Sequence, residues 1–157
     1  MFVKDIIYED FCNYKEPSMF IIFPKCSFKC NKENGNCVCQ NISLTNEKDI
    51  YVTEGSIVKK FINNNITKAI VCGGLEPFDS WEDLKSLVKT ARNYTDAKII
   101  IYTGYYKDEL QDKVLWLSKY ENIIIKYGRF IPNQKPHYDK ILGIDLVSDN
   151  QYAEVIS

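Results

Sequence analysis

One histidine, His137, stands in 157 residues. It lies in a polar, proline-containing stretch with no visible partner, so a histidine-dependent triad is not supported and a surface or hydrogen-bonded structural role is the plainer reading. An excess of either charge is also missing. Twenty basic and twenty-one acidic side chains leave a net charge of -1, too little to gather nucleic acid or an anionic membrane surface. Neither partner is expected. No apolar run is long enough to span a bilayer. The segment 1–10 breaks its apolar residues with acids and lacks the basic opening of a secretory signal, which predicts a cytoplasmic protein. There is no internal repeat and no flexible linker, and the length is that of one ordinary domain, so residues 1–157 are read as a single unit.

What the sequence does have is thiol. Six cysteines in a compartment that keeps them reduced point to metal or catalysis more than to disulfides. Cys26, Cys30, Cys37 and Cys39 crowd one segment, 24–41, whose Lys, Asn and Gly content reads as loop. It follows the apolar run Ser18–Phe23, too short for a helix and suited to a strand covered on both faces. Beyond it, Val58, Phe61 and Ile62 recur at helical spacing before a break at Asn63-Asn64-Asn65, and Lys68–Cys72 reads as a strand. Ser80, with Asp83 three residues on, is the expected N-cap of a helix running to about Asn93, its inner face marked by Trp81, Leu84, Leu87, Val88 and Ala91. Lys98–Tyr102 and Asn122–Lys126 are further strands, with a helix over Lys107–Lys119 between them.

Strands alternating with helices predict an α/β fold with parallel pairing and its chemistry at the strand C-terminal ends. The cysteine loop, Gly73-Gly74, Thr103-Gly104 and Tyr127-Gly128 all follow strands, so four loops should meet at one edge. Residues from about 128 to 157 show no helical period and are expected to wrap the sheet edge.

Clustered thiolates favour a soft centre, zinc or iron–sulfur. A structural zinc knot would use all four cysteines, yet Cys37-Val38-Cys39 is a poor pincer, because structural zinc sites pair cysteines across two to four residues. Other segments add to the pattern. Phe23-Pro24-Lys25-Cys26 ends a strand on the first cysteine, and Asn41 follows Cys39 by two positions. Cys72-Gly73-Gly74-Leu75-Glu76-Pro77, Tyr102-Thr103-Gly104-Tyr105, Tyr127-Gly128-Arg129-Phe130 and Asn150-Gln151 follow in order.

In that order and spacing the sequence resembles the radical S-adenosylmethionine superfamily, specifically the small activases of anaerobic ribonucleotide reductase. It departs from their pattern in three places: Lys25 stands where they carry glycine, Leu75 interrupts their Gly-Gly-Glu-Pro element, and eight residues separate Cys30 from Cys39 where they have two. A longer surface loop costs little closure entropy, so the thiolates can still converge.

The resemblance implies an open, partial (β/α) barrel and a 4Fe-4S cluster on Cys26, Cys30 and Cys39, with Cys37 as the alternative third ligand. It implies S-adenosylmethionine as the second cofactor, bound near Val38, Gly73, Gly74, Glu76, Thr103, Gly104 and Arg129, with no catalytic side chain beyond the cluster. It further implies a 5'-deoxyadenosyl radical that generates a glycyl radical on a large partner enzyme, and an external electron donor. Size agrees, since an eight-unit barrel with an enclosed chamber takes about 250 residues. A shorter, open sheet suits a substrate whose own loop enters the site. A radical enzyme acting on another peptide or small molecule, and a non-catalytic metal-binding module, are the competing readings.

Several residues have plainer roles beside these. Cys72 reads as a small core residue and Cys12 as incidental. Glu76 reads as a shaper of the cofactor turn more than a proton carrier, and Tyr102, Tyr105 and Tyr106 as packing. Arg129 is either a binder of carboxylate or ribose or a solvated surface cation.

Overall fold

β-Branched runs flanked by breakers become the centre of a sheet. The computed structural model describes residues 1–157. In chain order it contains β1 (Phe2–Val3), β2 (Asp5–Asp10), β3 (Ser18–Phe23), α1 (Lys29–Asn34), β4 (Ile50–Tyr51) and α2 (Glu54–Ile62). Then come β5 (Ala69–Gly74), α3 (Trp81–Arg92), β6 (Lys98–Tyr102), α4 (Gln111–Leu117), β7 (Ile123–Tyr127), β8 (His137–Asp139), β9 (Ile144–Leu146) and β10 (Tyr152–Val155). Six strands form one sheet in the order β10-β7-β6-β5-β3-β2. The four inner strands β3, β5, β6 and β7 are parallel, while β2 and β10 close the two edges antiparallel.

Period-two alternation sorts the parallel strands into two faces. On one, Met19, Ile21, Phe23, Ile70, Cys72, Ile99, Ile101, Ile123, Ile125 and Tyr127 pack beneath the apolar stripes of α2, α3 and α4. Thr53 caps α2 by accepting the Ser56 amide hydrogen at 3.2 Å, a contact worth about 1 kcal/mol. The opposite face carries Val71, Ile100 and Ile124 under Tyr14, Leu142, Leu146 and Ala153, so the C-terminal segment lies across it. There β8 and β9 pair as an antiparallel hairpin, and β10 adds to the edge at β7. The expected wrap is therefore partly regular structure, which its short polar strands concealed.

Four local expectations are corrected. Ser80 precedes α3 but makes no capping bond, because a 3-10 turn over Pro77–Ser80 feeds straight into the helix; Glu76 caps that turn through the Phe78 amide at 3.1 Å. The helix expected from Lys107 begins as a 3-10 turn, Lys107–Leu110, and becomes α4 only at Gln111. Gly73 and Gly74 are the last two residues of β5, paired with Ile22 and Phe23, and not a turn beyond it. The strand expected from Asn122 starts at Ile123, since Asn122 is left-handed at φ 59°.

Candidate metal centre

The parallel strands all end at one edge, and a cavity of about 610 Å³ opens there. Cys26 from the loop after β3, Gly74 and Glu76 from the end of β5, Thr103 and Gly104 after β6, and Lys126 and Gly128 from the end of β7 all line it. The remaining wall comes from Cys30, Cys39 and the segment after it, and from β9 and Gln151.

The eight residues between Cys30 and Cys39 are not slack. They begin in α1, which Gly35 ends in the left-handed conformation at φ 72°. The chain then folds back onto the helix, where the Asn31 side-chain oxygen accepts the amide hydrogens of Val38 and Cys39 at 2.9 and 3.0 Å. This clasp returns Cys39 to the cavity beside Cys30. It leaves Cys37 exposed, 3.8 Å from Asn31 Nδ2 and outside the cavity lining. Asn41 then donates to the Gly74 carbonyl at 2.8 Å, which ties the far end of the loop to β5.

A second set of bonds holds the near end. Asp79 accepts the Ser27 amide hydrogen and the Tyr105 hydroxyl hydrogen, both at 2.5 Å. The Phe28 amide donates to Cys26 Sγ at 3.3 Å. Burial pushes the Cys26 thiol up to about 12 and raises Cys39 as well. Both therefore stay protonated until a metal's positive charge displaces the proton.

Glu76 is buried, and burial raises it to about 7, against three hydrogen bonds that favour its ionised form. Those bonds come from its own chain: the Phe78 amide at 3.1 Å, the Thr103 hydroxyl at 2.9 Å and the Gly104 amide at 2.9 Å. Glu76 thus clasps the end of β5 to the end of β6. Thr103 completes the clasp by accepting the Tyr105 amide hydrogen at 2.9 Å. Gly104 lies against the second cysteine: an added Cβ there would sit 3.4 Å from Cys30 Sγ, in van der Waals contact.

Of the residues singled out from sequence, Cys26, Cys30, Cys39, Gly74, Glu76, Thr103 and Gly104 meet at this cavity. Gly73 lies just beneath it, where a Cβ would strike the Phe20 ring at 2.8 Å. Val38, Cys37 and Arg129 are not in the lining. Arg129 instead makes a two-pronged contact with Glu109, at 2.8 Å to each oxygen, and stacks over Tyr106 at 4.3 Å. Glu33 lies 2.8 Å from its Nε as an ion pair without a directed hydrogen bond. Lys29 also reaches Glu109, at 2.7 Å, so this carboxylate joins the cysteine loop to the segment after β7.

Sequence pattern does not single out Cys12 or Lys126 for the site, and it marks Gln151 only as part of the Asn150-Gln151 pair. Cys12, taken as incidental, lines the cavity together with Asn13, whose carbonyl accepts the Tyr102 hydroxyl hydrogen at 2.5 Å. Lys126, on the face of β7 opposite the helices, is 8% exposed and faces the cavity. Its place inside a strand at an alternating position was the available signal. Gln151 closes the wall, held by its own side chain on the Gly128 carbonyl at 3.3 Å and by His137 on its carbonyl at 2.9 Å. The lone histidine is thus a brace, and Cys72, fully buried, is core.

The donor set fits an iron–sulfur cluster. All six cysteines are free. Cys26, Cys30 and Cys39 face one roomy cavity, while Cys37, which a four-cysteine zinc knot would need, is exposed and outside its lining. A cubane spreads its thiolates over separate iron corners, whereas zinc gathers four ligands about one point. No helix is long and apolar enough to cross a membrane.

No curated protein and no solved structure matches the chain. Residues 18–151 match the 4Fe-4S single cluster domain, a span that runs from the first residue of β3 to Gln151 at the cavity wall. The chain belongs to that family, a 4Fe-4S domain of the radical S-adenosylmethionine type.

Proposed function

We propose that the chain cleaves S-adenosylmethionine reductively and passes the resulting radical to a glycine of a large partner enzyme, anaerobic ribonucleotide reductase. The observation that carries this reading is the convergence of Cys26, Cys30 and Cys39 with Gly74, Thr103 and Gly104 around one cavity at the ends of four parallel strands, in a member of the 4Fe-4S single cluster family. Helices on one face only, with parallel strands in sequential order, support reading the sheet as an open section of a (β/α) barrel.

In this reading Cys26, Cys30 and Cys39 hold the cluster. The 4Fe-4S cluster they would hold would bind S-adenosylmethionine and supply the electron for its reductive cleavage. The chain's own groups position. Gly74, left-handed at φ 83° and pressed against Ile22, brings bare backbone to the cavity wall where a side chain would collide. Glu76 and Thr103 keep the two loops in register, Asp79 and Asn41 fix the cysteine loop at its two ends, and Asn31 folds its middle back onto α1. The radical chemistry so supplied would end with a hydrogen atom taken from the partner's glycine, whose loop the open sheet edge would admit. An external donor resets the cluster, in a cytoplasm that keeps the thiols reduced.

Anaerobic reconstitution with iron and sulfide, followed by dithionite and S-adenosylmethionine, is expected to yield a brown protein and 5'-deoxyadenosine. A loaded cluster with no 5'-deoxyadenosine would sink the enzymatic reading. Mixing the reduced protein with a candidate anaerobic reductase and recording the electron paramagnetic resonance spectrum tests the partner. A glycyl radical signal is expected there, and its absence with every candidate reductase overturns the activase assignment alone.

A further inference from the structure

Lys126 is a cation without a counter-charge in contact. It is 92% buried by its 8% exposure, and its Nζ has one hydrogen-bond acceptor, the Gly128 carbonyl, at a long 3.4 Å. No carboxylate lies within ion-pair distance of it. The nearest aromatic face, Tyr102, is 5.8 Å away. Glu76, the one buried acid at this edge, is occupied by three donors of its own chain.

Burying an ammonium in this way costs several kcal/mol unless negative charge compensates it. Pairing inside the chain does not. The cavity that Lys126 faces is also the one lined by Cys26, Cys30 and Cys39; burial lowers the lysine from its ordinary value, and Cys30 and Glu76 oppose that only in part. Position along the strand explains why the side chain points there. Ile123, Ile125 and Tyr127 fill the helix face, so Ile124 and Lys126 take the other, and Lys126 falls at the strand end where that face opens into the cavity.

We propose that Lys126 is the electrostatic partner of the cluster held by the three cysteines and sets its reduction potential. A 4Fe-4S centre bound by three thiolates carries net negative charge, and one-electron reduction makes it more negative. A fixed, desolvated positive charge beside it stabilises the reduced form more than the oxidised one, because interactions across a dry interior are weakly screened. The electron comes from an external reductant and no bond forms or breaks at the lysine; burial lowers it to about 8, so the titration is run at about pH 7, where it carries its proton. This inference rests on the cluster reading but needs no S-adenosylmethionine.

The test is a redox titration of reconstituted protein without S-adenosylmethionine, followed by the electron paramagnetic resonance signal of the reduced cluster, with iron and sulfide counted for each variant. Lys126→Met keeps the length and removes the charge. Its midpoint is expected to fall so that, at the wild-type midpoint, the ratio of reduced to oxidised cluster drops about tenfold, equivalent to about 59 mV for one electron. Lys126→Arg is expected to restore most of the shift. Lys126→Gln serves where the methionine variant loads poorly and is expected to shift the same way. An unchanged or higher midpoint in a fully loaded neutral variant overturns the role of Lys126 and leaves the cluster standing. A wild-type protein that takes up no iron and sulfide overturns both.

Discussion

The two faces of the parallel sheet are built from alternate residues of the same strands, yet they are finished differently. The helix face is covered by α2, α3 and α4 and holds a cluster of 22 buried apolar residues. The other face holds eight, covered by a hairpin and loops, and at the strand ends it gives way to thiols, Glu76 and Lys126. Stability is concentrated on the first face. The second is left thin enough to keep a cavity open, and its polar groups are held by clasps whose partners come from distant parts of the chain.

Removing a thiol should break the second face without touching the first. Cys39→Ala is expected to abolish cluster assembly, read as iron and sulfide per chain and the visible absorbance, while Cys37→Ala retains it. The reverse outcome would make Cys37 the third ligand. The helix face should answer in stability instead. Leu87→Ala, at a fully buried position on α3, is expected to cost about 2–5 kcal/mol in urea unfolding of the apo protein. Leu146→Ala on the other face is expected to cost about 2 kcal/mol, at the low end, since the adjoining cavity admits water. Equal losses at the two positions would remove the asymmetry.

The smallest expected effect lies at the rim. Arg129, and then Lys29, hold the Glu109 carboxyl down at about 2, against burial acting the other way. Its contribution is therefore complete above its ordinary value near 4.5 and is lost as the pH falls from there towards 2. Glu109→Gln should flatten that acid loss in the apo protein, measured as the difference in urea midpoint between wild type and variant from about pH 6 to pH 3. Parallel curves for the two proteins would show that the bridge contributes nothing to stability, as exposed ion pairs often do.

The same asymmetry explains what could be read from the amino acids. Runs such as Lys98–Tyr102 and the stripe Leu84, Leu87, Val88 and Ala91 announce themselves because their environment is apolar and periodic, and the strand and helix order followed from them. The convergence of four loops also followed, since parallel strands must end on one side. Clasps are another matter. Nothing near Arg129 in sequence says that Glu33 and Glu109 will claim it, and nothing near Ser80 says that a 3-10 turn will occupy its capping position. Asn31 looks like loop filler until Val38 and Cys39 fold back on it. Lys126 ends a strand where the chain could as well have turned it to solvent. The Arg129 contacts join residues far apart in the chain, and the Ser80 turn and the Asn31 clasp are short-range side-chain bonds that leave no period; local pattern is blind to both.

The wall formed by β9 and Gln151 also orders events in time. Cys26, Cys30 and Cys39 leave the ribosome long before Ile144–Gln151, so during synthesis the thiols meet solvent on a side that the finished chain covers. The hairpin that crosses the strand ends follows the cysteine loop and all four parallel strands in the chain, with only β10 after it, and His137 braces Gln151. The three thiols are therefore made before the wall that will cover them, and that wall is the last part of the cavity to be supplied.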